Sequence, residues 1–382
     1  GCYKGRMPVE GAAAHADAKA RSDVAHRRSG GSPAAIPSAV DASRVLFICG
    51  SLNQTTQMHQ IARQMPELEA RFTPYYCDGL LEVMRRAGLV EFTILGASWR
   101  ADCVSYLQQH RLPIDHAGAE GGYDLVVTCS DVIVPRNVRG NRIVLVQEGM
   151  TDPERFLYWL RRLLHLPLWA SGTAGTGLSG YYQRFCVASP GYRELFIRKG
   201  APAERIVVTG IPNFDDCARY RYNDLGRRGY VLVCTSDTRE TLKWDNRAAF
   251  IRRALEIAAG RPLIFKLHPN ENRERNSREI RALAPHAEIF TSGCAEEMVA
   301  NCDVLVVQYS TLAFVGLALD KEVHAYADLD DLRRLLPLQG GMAAVNIAEV
   351  CRQVLAARAS DGPPQSRRPW RGARTQAARV AA

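Results

Sequence analysis

The stretch Ile264-Phe265-Lys266-Leu267-His268-Pro269-Asn270-Glu271-Asn272 decides the fold class. The apolar run from Pro262 to Leu267, bounded by turn residues, reads as a buried strand. His268-Pro269-Asn270 stops it, and a charged helical pattern follows from Arg273 to Leu283. A lysine, a histidine and two asparagines thus fall at or near the carboxyl end of a strand in a β–α unit, the edge at which open α/β sheets bind ligands. The pattern recurs further on: a strand from Val304 to Val307, then Gln308-Tyr309-Ser310-Thr311, then an apolar helix from Leu312 to Leu319. Hydroxyls and free backbone N–H groups at a helix start suit phosphate. Two such edges in one half of the chain point to a nucleotide or nucleotide-diphosphate site.

Outward from this segment the alternation continues in both directions. Strand-like runs lie at Arg44–Cys49, Phe72–Tyr76, Glu91–Leu95, Leu125–Cys129, Arg142–Gln147, Arg184–Ala188 and Arg205–Thr209. A second series runs through Tyr230–Cys234, Pro262–Leu267, Glu288–Phe290, Val304–Val307 and Glu322–Ala325. Helical patterns at Gln54–Met65, Trp99–His110 and Tyr192–Lys199 fall between strands. Alternating strands and helices with short connections predict parallel sheets covered by helices. The turn-rich segment from Ile211 to Gly229 carries no strand pattern and places a domain boundary there. The expected architecture is α/β: two Rossmann-like domains, residues 44–211 and 212–357, whose parallel sheets face a central cleft. Residues 1–43 and 358–382, poor in periodic apolar pattern, read as disordered tails.

The chain has a formal charge of +9, but the N-terminal tail holds a net +2 and the C-terminal tail +5, leaving +2 on the body. The excess sits in tails rather than on a folded face, which argues against nucleic acid as a partner. The eleven cysteines include no C-x-x-C pair, and their spacing with histidine fits no zinc site. Cys49, Cys129, Cys186 and Cys234 lie in or at the ends of apolar runs and read as buried reduced thiols of a cytoplasmic protein. The N-terminus shows no apolar signal core. The chain opens on Gly1, consistent with a truncated or misassigned start. No run of eighteen apolar residues suggests a membrane span.

Three segments resemble a known superfamily. Val207-Val208-Thr209-Gly210-Ile211-Pro212-Asn213-Phe214-Asp215 is similar to the crossing between the domains of glycosyltransferase-B (GT-B) proteins. Lys266-Leu267-His268-Pro269-Asn270 resembles their His-Pro donor loop. Gln308-Tyr309-Ser310-Thr311, followed by Ala318-Leu319-Asp320-Lys321-Glu322-Val323, resembles a further donor-site segment. The nearest likenesses are to UDP-N-acetylglucosamine 2-epimerases, CDP-glycerol glycerophosphotransferases and capsule-polysaccharide transferases. In the first half, Thr128-Cys129-Ser130-Asp131 and Val146-Gln147-Glu148-Gly149-Met150-Thr151 look like epimerase segments that carry acid/base carboxylates. Leu178-Ser179-Gly180-Tyr181 shows no clear third acid, and Phe314-Val315 stands where epimerases place paired glutamates. Those departures favour transfer over epimerisation.

The resemblance implies a transferase that moves a sugar or polyol-phosphate unit from a nucleotide-activated donor, a nucleotide-sugar or a CDP-polyol, to a cell-envelope or metabolite acceptor. It implies Glu148 or Asp131 as general base. Gly210, Asn213, Lys266, His268, Asn270, Gln308, Ser310 and Thr311 would bind the donor, with Ser51 and Asn53 near the sugar or acceptor. No cofactor is expected beyond the donor itself, and no Asp-x-Asp pattern suggests a metal-bound diphosphate. Epimerisation or hydrolysis on the same scaffold, or nucleotide-sugar binding without turnover, remain as alternatives. Each residue also has a plainer reading: His268 a strand-end histidine bonded to backbone, Lys266 a solvated edge lysine, Ser310 and Thr311 simple helix caps, Asp131 and Glu148 turn carboxylates. Phe156–Trp169 reads as a core helix, or alternatively as an interfacial helix making peripheral membrane contact. Ala170–Gly180 reads as a mobile acceptor loop. Oligomeric state leaves no signal in the sequence.

Overall fold

A computed structural model describes residues 42–88, 95–151, 175–240 and 245–357. The first half contains β1 (Arg44–Cys49), α1 (Leu52–Ala62), β2 (Glu69–Pro74), α2 (Leu80–Arg86), α3 (Ala97–Gln109), β3 (Leu125–Thr128), β4 (Arg142–Val146), β5 (Arg184–Val187), α4 (Pro190–Lys199) and β6 (Ile206–Val208). The second contains β7 (Val231–Cys234), α5 (Arg247–Ala258), β8 (Leu263–Lys266), α6 (Arg273–Leu283), β9 (Glu288–Phe290), α7 (Ala295–Asn301), β10 (Val304–Val307), α8 (Leu312–Ala318), β11 (Glu322–His324), α9 (Leu329–Leu335) and α10 (Ala343–Ala356). The strands form a six-stranded sheet in the order β2-β1-β3-β4-β5-β6 and a five-stranded sheet in the order β11-β10-β7-β8-β9. Every strand pair is parallel.

The strands read as near-continuous Val, Leu, Ile, Phe and Cys because helices cover both faces of each sheet. Val45 and Phe47 of β1, Leu125 and Val127 of β3, and Val144 and Val146 of β4 line one face. Their neighbours Leu46, Ile48, Val126, Ile143 and Leu145 line the other. This is the two-residue alternation of a strand. Cys49, Cys129, Cys186 and Cys234 are buried free thiols. Of the sequence-stretches singled out above, residues 1–41, 91–94, 156–169, 170–174 and 358–382 lie outside the described residues, so the tails, most of the Glu91–Leu95 run and the Phe156–Trp169 helix fall there.

One boundary is corrected. Helix α10 does not stay with the second domain. Its Ala344, Ile347, Ala348, Cys351 and Val354 join the core of the first sheet, at the spacing of one helical face. Arg142 Nη1 donates to the Val354 carbonyl at 2.6 Å, and Arg352 pairs with Glu67 at 2.8 Å. Residues 212–357 are therefore not one contiguous unit: the chain crosses between domains twice. Asp215 ties the crossings together. Its carbonyl accepts from the N–H groups of Gly340 and Gly341 at 2.6 and 2.8 Å, and its carboxylate accepts from Ala343 N–H at 2.7 Å.

Candidate functional site at the facing sheet edges

Because both sheets are parallel, every loop that follows a strand leaves from the same edge of its sheet. In the first domain, β4 ends at Gln147 and Glu148. The Gln147 amide is internal: it accepts from Ala188 N–H at 2.9 Å and donates to the Gly149 carbonyl at 2.8 Å. Glu148 is half-buried, and α1 reaches it from the neighbouring β1 edge. Ser51 Oγ donates to Glu148 Oε1 at 2.8 Å and Gln54 Nε2 to Oε2 at 2.6 Å. Gln57 Nε2 donates to its backbone carbonyl at 2.7 Å and Asn53 Nδ2 to the same atom at 3.4 Å. Ser51 also caps α1 by accepting from Gln54 N–H. Among the described residues the donors to the Glu148 carboxylate are all neutral.

The opposite edge comes close at the next residue. A Cβ placed on Gly149 would stand 3.4 Å from Thr311 Cγ2 and 3.7 Å from the Phe214 ring. Thr311 begins α8 without a capping bond from its own hydroxyl, while Ser310 Oγ accepts from Leu312 N–H at 3.3 Å. Gln308, expected to touch the donor, is instead buried. It donates to Asp245 Oδ1 at 2.7 Å and accepts from Ser236 Oγ at 2.8 Å, so its amide links the β10 and β7 loops.

The β7 loop continues to the β8 loop through Glu271, which the sequence reading passed over. Glu271 is 4% exposed. It accepts from the Thr235 hydroxyl, from His268 N–H at 2.9 Å and from Arg247 Nη2 at 2.7 Å. Arg247 also binds Asp245 at 3.0 Å and the Ser236 carbonyl at 3.0 Å. This buried ionic cluster fixes the His268 turn. His268 keeps its ring half-exposed, with Nδ1 accepting from Asn270 N–H at 3.3 Å, and Asn270 Nδ2 donates to Asp237 at 3.1 Å. His268 N–H donates to Thr235 Oγ1 at 3.2 Å and Ser236 bonds Gln308, so the β8, β7 and β10 loops are tied together, and the Thr311 turn that follows β10 approaches Gly149.

Four further expectations change. Lys266 is 5% exposed and its ammonium donates to the Leu267 carbonyl at 3.0 Å. It is the second residue after Ile264 on the same strand face, so it points into the sheet's covering layer, where burial lowers its pKa. Asn213 serves as a bridge between domains: its Nδ2 donates to Asn53 O, Asn53 Oδ1 and Thr56 Oγ1, and its Oδ1 accepts from Gln60 at 2.8 Å. The same bond occupies Asn53. Gly210, at φ +78°, lies 3.1 Å (measured from an added Cβ) from Ala343 Cβ, so it lets the crossing turn against α10 and offers no ligand surface. Asp131 is 2% exposed, and its two oxygens accept from Gly177 N–H at 2.9 Å and Ser179 N–H at 3.1 Å. Burial, the dominant cause, raises its pKa. It anchors residues 175–180, the described end of the expected acceptor loop, and is sealed from an acceptor. Of the expected site residues, Glu148, Thr311, Ser310, His268 and Asn270 stay at least partly exposed at the two edges, while Ser51 is buried against Glu148.

The signal for the missed Gln57 and Gln60 was present in α1. With Asn53 they fall on one helical stripe, and a buried amide such as Gln57 has to bond something; Gln57 bonds Glu148 and Gln60 bonds Asn213.

Comparison with known proteins places the fold. No protein-family model matches the sequence, and no curated protein does. Among solved structures the chain is similar to MnaA of S. aureus in complex with UDP, with a TM-score of 0.53 at 11% identity over 85% of this chain and 100% of that one. It also matches a putative UDP-N-acetylglucosamine 2-epimerase from Listeria monocytogenes (TM-score 0.49, 12% identity, 82% and 88% covered). A third match is the wall teichoic acid polymerase TagF (0.44, 10%, 84% and 90%). Two parallel α/β domains with facing edges, joined by a double crossing, give this chain the GT-B fold.

Proposed function

We propose that the protein is a nucleotide-sugar enzyme that transfers a sugar or polyol-phosphate unit from a nucleotide-activated donor to a hydroxyl acceptor, with Glu148 as general base. The observation that supports this reading is the placing of Glu148: a half-buried carboxylate at the β4 edge, held by two neutral donors, one residue before Gly149, where the chain approaches Thr311 of the other domain. The donor's nucleotide would lie against the His268–Asn270 and Ser310–Thr311 loops. MnaA, a structural neighbour with a TM-score above one half, was solved with UDP, and this supports a nucleoside diphosphate there. Departure of that group develops negative charge, which backbone N–H groups and the His268 ring would stabilise. Glu148 would take the proton of the attacking hydroxyl as its oxygen bonds to the donor.

Epimerisation on the same fold is the second reading. The sealing of Asp131 counts against it, since it leaves Glu148 as the one open acid/base carboxylate of the two the first domain was expected to supply. The test is a thermal-shift panel of UDP, CDP, UDP-N-acetylglucosamine and CDP-glycerol, followed by nucleotide release from the donor that binds. A nucleoside diphosphate bound at 100 times its Kd stabilises by about 2.7 kcal/mol. No shift with any of the four would contradict the reading. Isomerised donor without release would replace transfer by epimerisation.

A further inference from the structure

Gln54 carries an anomaly. Its Nε2 donates to Glu148 Oε2 at 2.6 Å, while its own Oε1, on a side chain 2% exposed, has no hydrogen-bond partner. A buried acceptor without a donor is costly, and native structures rarely retain one without a reason. The position is also made room for. A Cβ on Gly50 would stand 2.1 Å from that oxygen and 2.9 Å from Gln54 Cδ. Only glycine at residue 50 admits the amide where it is.

We infer that Gln54 is a positioning residue that serves Glu148 in both of its protonation states. This rests on the reading of Glu148 as the base. While Glu148 is a carboxylate it can only accept, and Gln54 Nε2 and Ser51 Oγ supply the donors. Once Glu148 has taken a proton from the acceptor hydroxyl, it becomes a donor and needs an acceptor. The unpartnered Oε1 is that acceptor, on the same amide, reached by rotation about the last side-chain torsion. The groups around Glu148 support this division of labour. From α1 it meets Ser51, Asn53, Gln54 and Gln57, all neutral. From the end of β3 it faces the Cys129 thiol, whose pKa is pushed well up first by burial and then by the Glu148 charge, so it stays protonated. From the second domain, Thr311 and Phe214 close on Gly149. Loss of the amide removes a hydrogen bond from each form of Glu148, and the bond to the charged form is the stronger, so the variant lacking it is expected to titrate higher.

The experiment follows the Glu148 carboxyl directly. Full-length protein labelled with 13C at the glutamate Cδ is titrated by NMR, with Glu148→Gln identifying the resonance. Three variants are compared with the unmodified chain, each checked for an unchanged unfolding midpoint. Gln54→Leu removes the amide and is expected to raise the Glu148 midpoint by about one pH unit or more. Gly50→Ala displaces the amide without deleting it and is expected to shift the midpoint in the same direction. Gln54→Glu keeps the shape and puts a second carboxylate in place, so a two-step coupled titration is expected. An unshifted midpoint in Gln54→Leu and Gly50→Ala, or a single unshifted step in Gln54→Glu, overturns the inference. If Gln54→Leu fails to fold, the other two variants decide. The titration needs no substrate. Normal nucleotide release by Glu148→Gln would remove Glu148 as base while leaving the titration result standing, so the two failures are distinct.

Discussion

Each of the two facing sheet edges is organised around one glutamate, and the two are built in opposite ways. Glu271, at the second-domain edge, is 4% exposed, shares a buried arginine and bonds a hydroxyl and a backbone N–H. Glu148, at the first-domain edge, is half-buried and bound by neutral donors alone through its carboxylate. A buried carboxylate whose partners are a fixed cation and fixed loops holds shape. A half-buried carboxylate at a cleft edge, bonded among the described residues by neutral donors, is placed to meet a substrate. On the proposed function, the difference separates scaffold from chemistry within a single cleft.

The largest effect should come from breaking the scaffold. Glu271→Ala leaves Arg247 buried with one carboxylate partner fewer, which typically costs about 3–5 kcal/mol. Urea unfolding measures it, and a loss under about 1 kcal/mol would place Glu271 with Glu148 rather than against it. Asp131→Asn should cost about 1–3 kcal/mol, because one of two backbone N–H groups loses its acceptor. Nucleotide release per folded molecule should be unchanged; lost release at full stability would restore Asp131 as a catalytic group. His268→Ala removes a half-exposed ring and should change stability by less than about 0.5 kcal/mol. Calorimetric titration with UDP and CDP should show weaker binding, and equal affinity would take His268 out of the site.

A further effect is a pH dependence away from the cleft. His59 on α1 is half-buried beside Tyr106 and His110, and burial first, then the His110 and Arg63 charges, lower its pKa to about 4. The unfolded chain binds a proton there below its ordinary pKa of 6.5 and the folded chain does not until about 4. Stability should therefore fall as pH drops through that window. His59→Gln should flatten part of that slope in unfolding curves recorded across it.

The strands were legible because their burial on both faces writes an unbroken apolar run, and the sheet edges followed from parallel alternation. The burial of Lys266 was legible: it shares the face of Ile264 by strand parity, and that face is covered. Asn213, Gln308 and Asp131 are of another kind. Each was rightly assigned to an edge, but its partners come from far along the chain: Asn53 and Gln60 for Asn213, Asp245 and Ser236 for Gln308, Gly177 and Ser179 for Asp131. A polar residue at a sheet edge reads the same in sequence whether a ligand or a distant loop satisfies it. The return of α10 to the first sheet was hidden for the same reason, since an amphipathic helix does not say which sheet it covers.

The central claim is that Glu148 performs chemistry and Glu271 does not, and one pair of measurements on Glu148→Gln tests it most directly. Unfolding in urea and nucleotide release from the bound donor are recorded on the same preparation. The account predicts an unfolding free energy within about 0.5 kcal/mol of the unmodified chain and release slowed by about a hundredfold or more at unchanged donor affinity. Near-normal release, or a loss of stability of the size expected for Glu271→Ala, would contradict it.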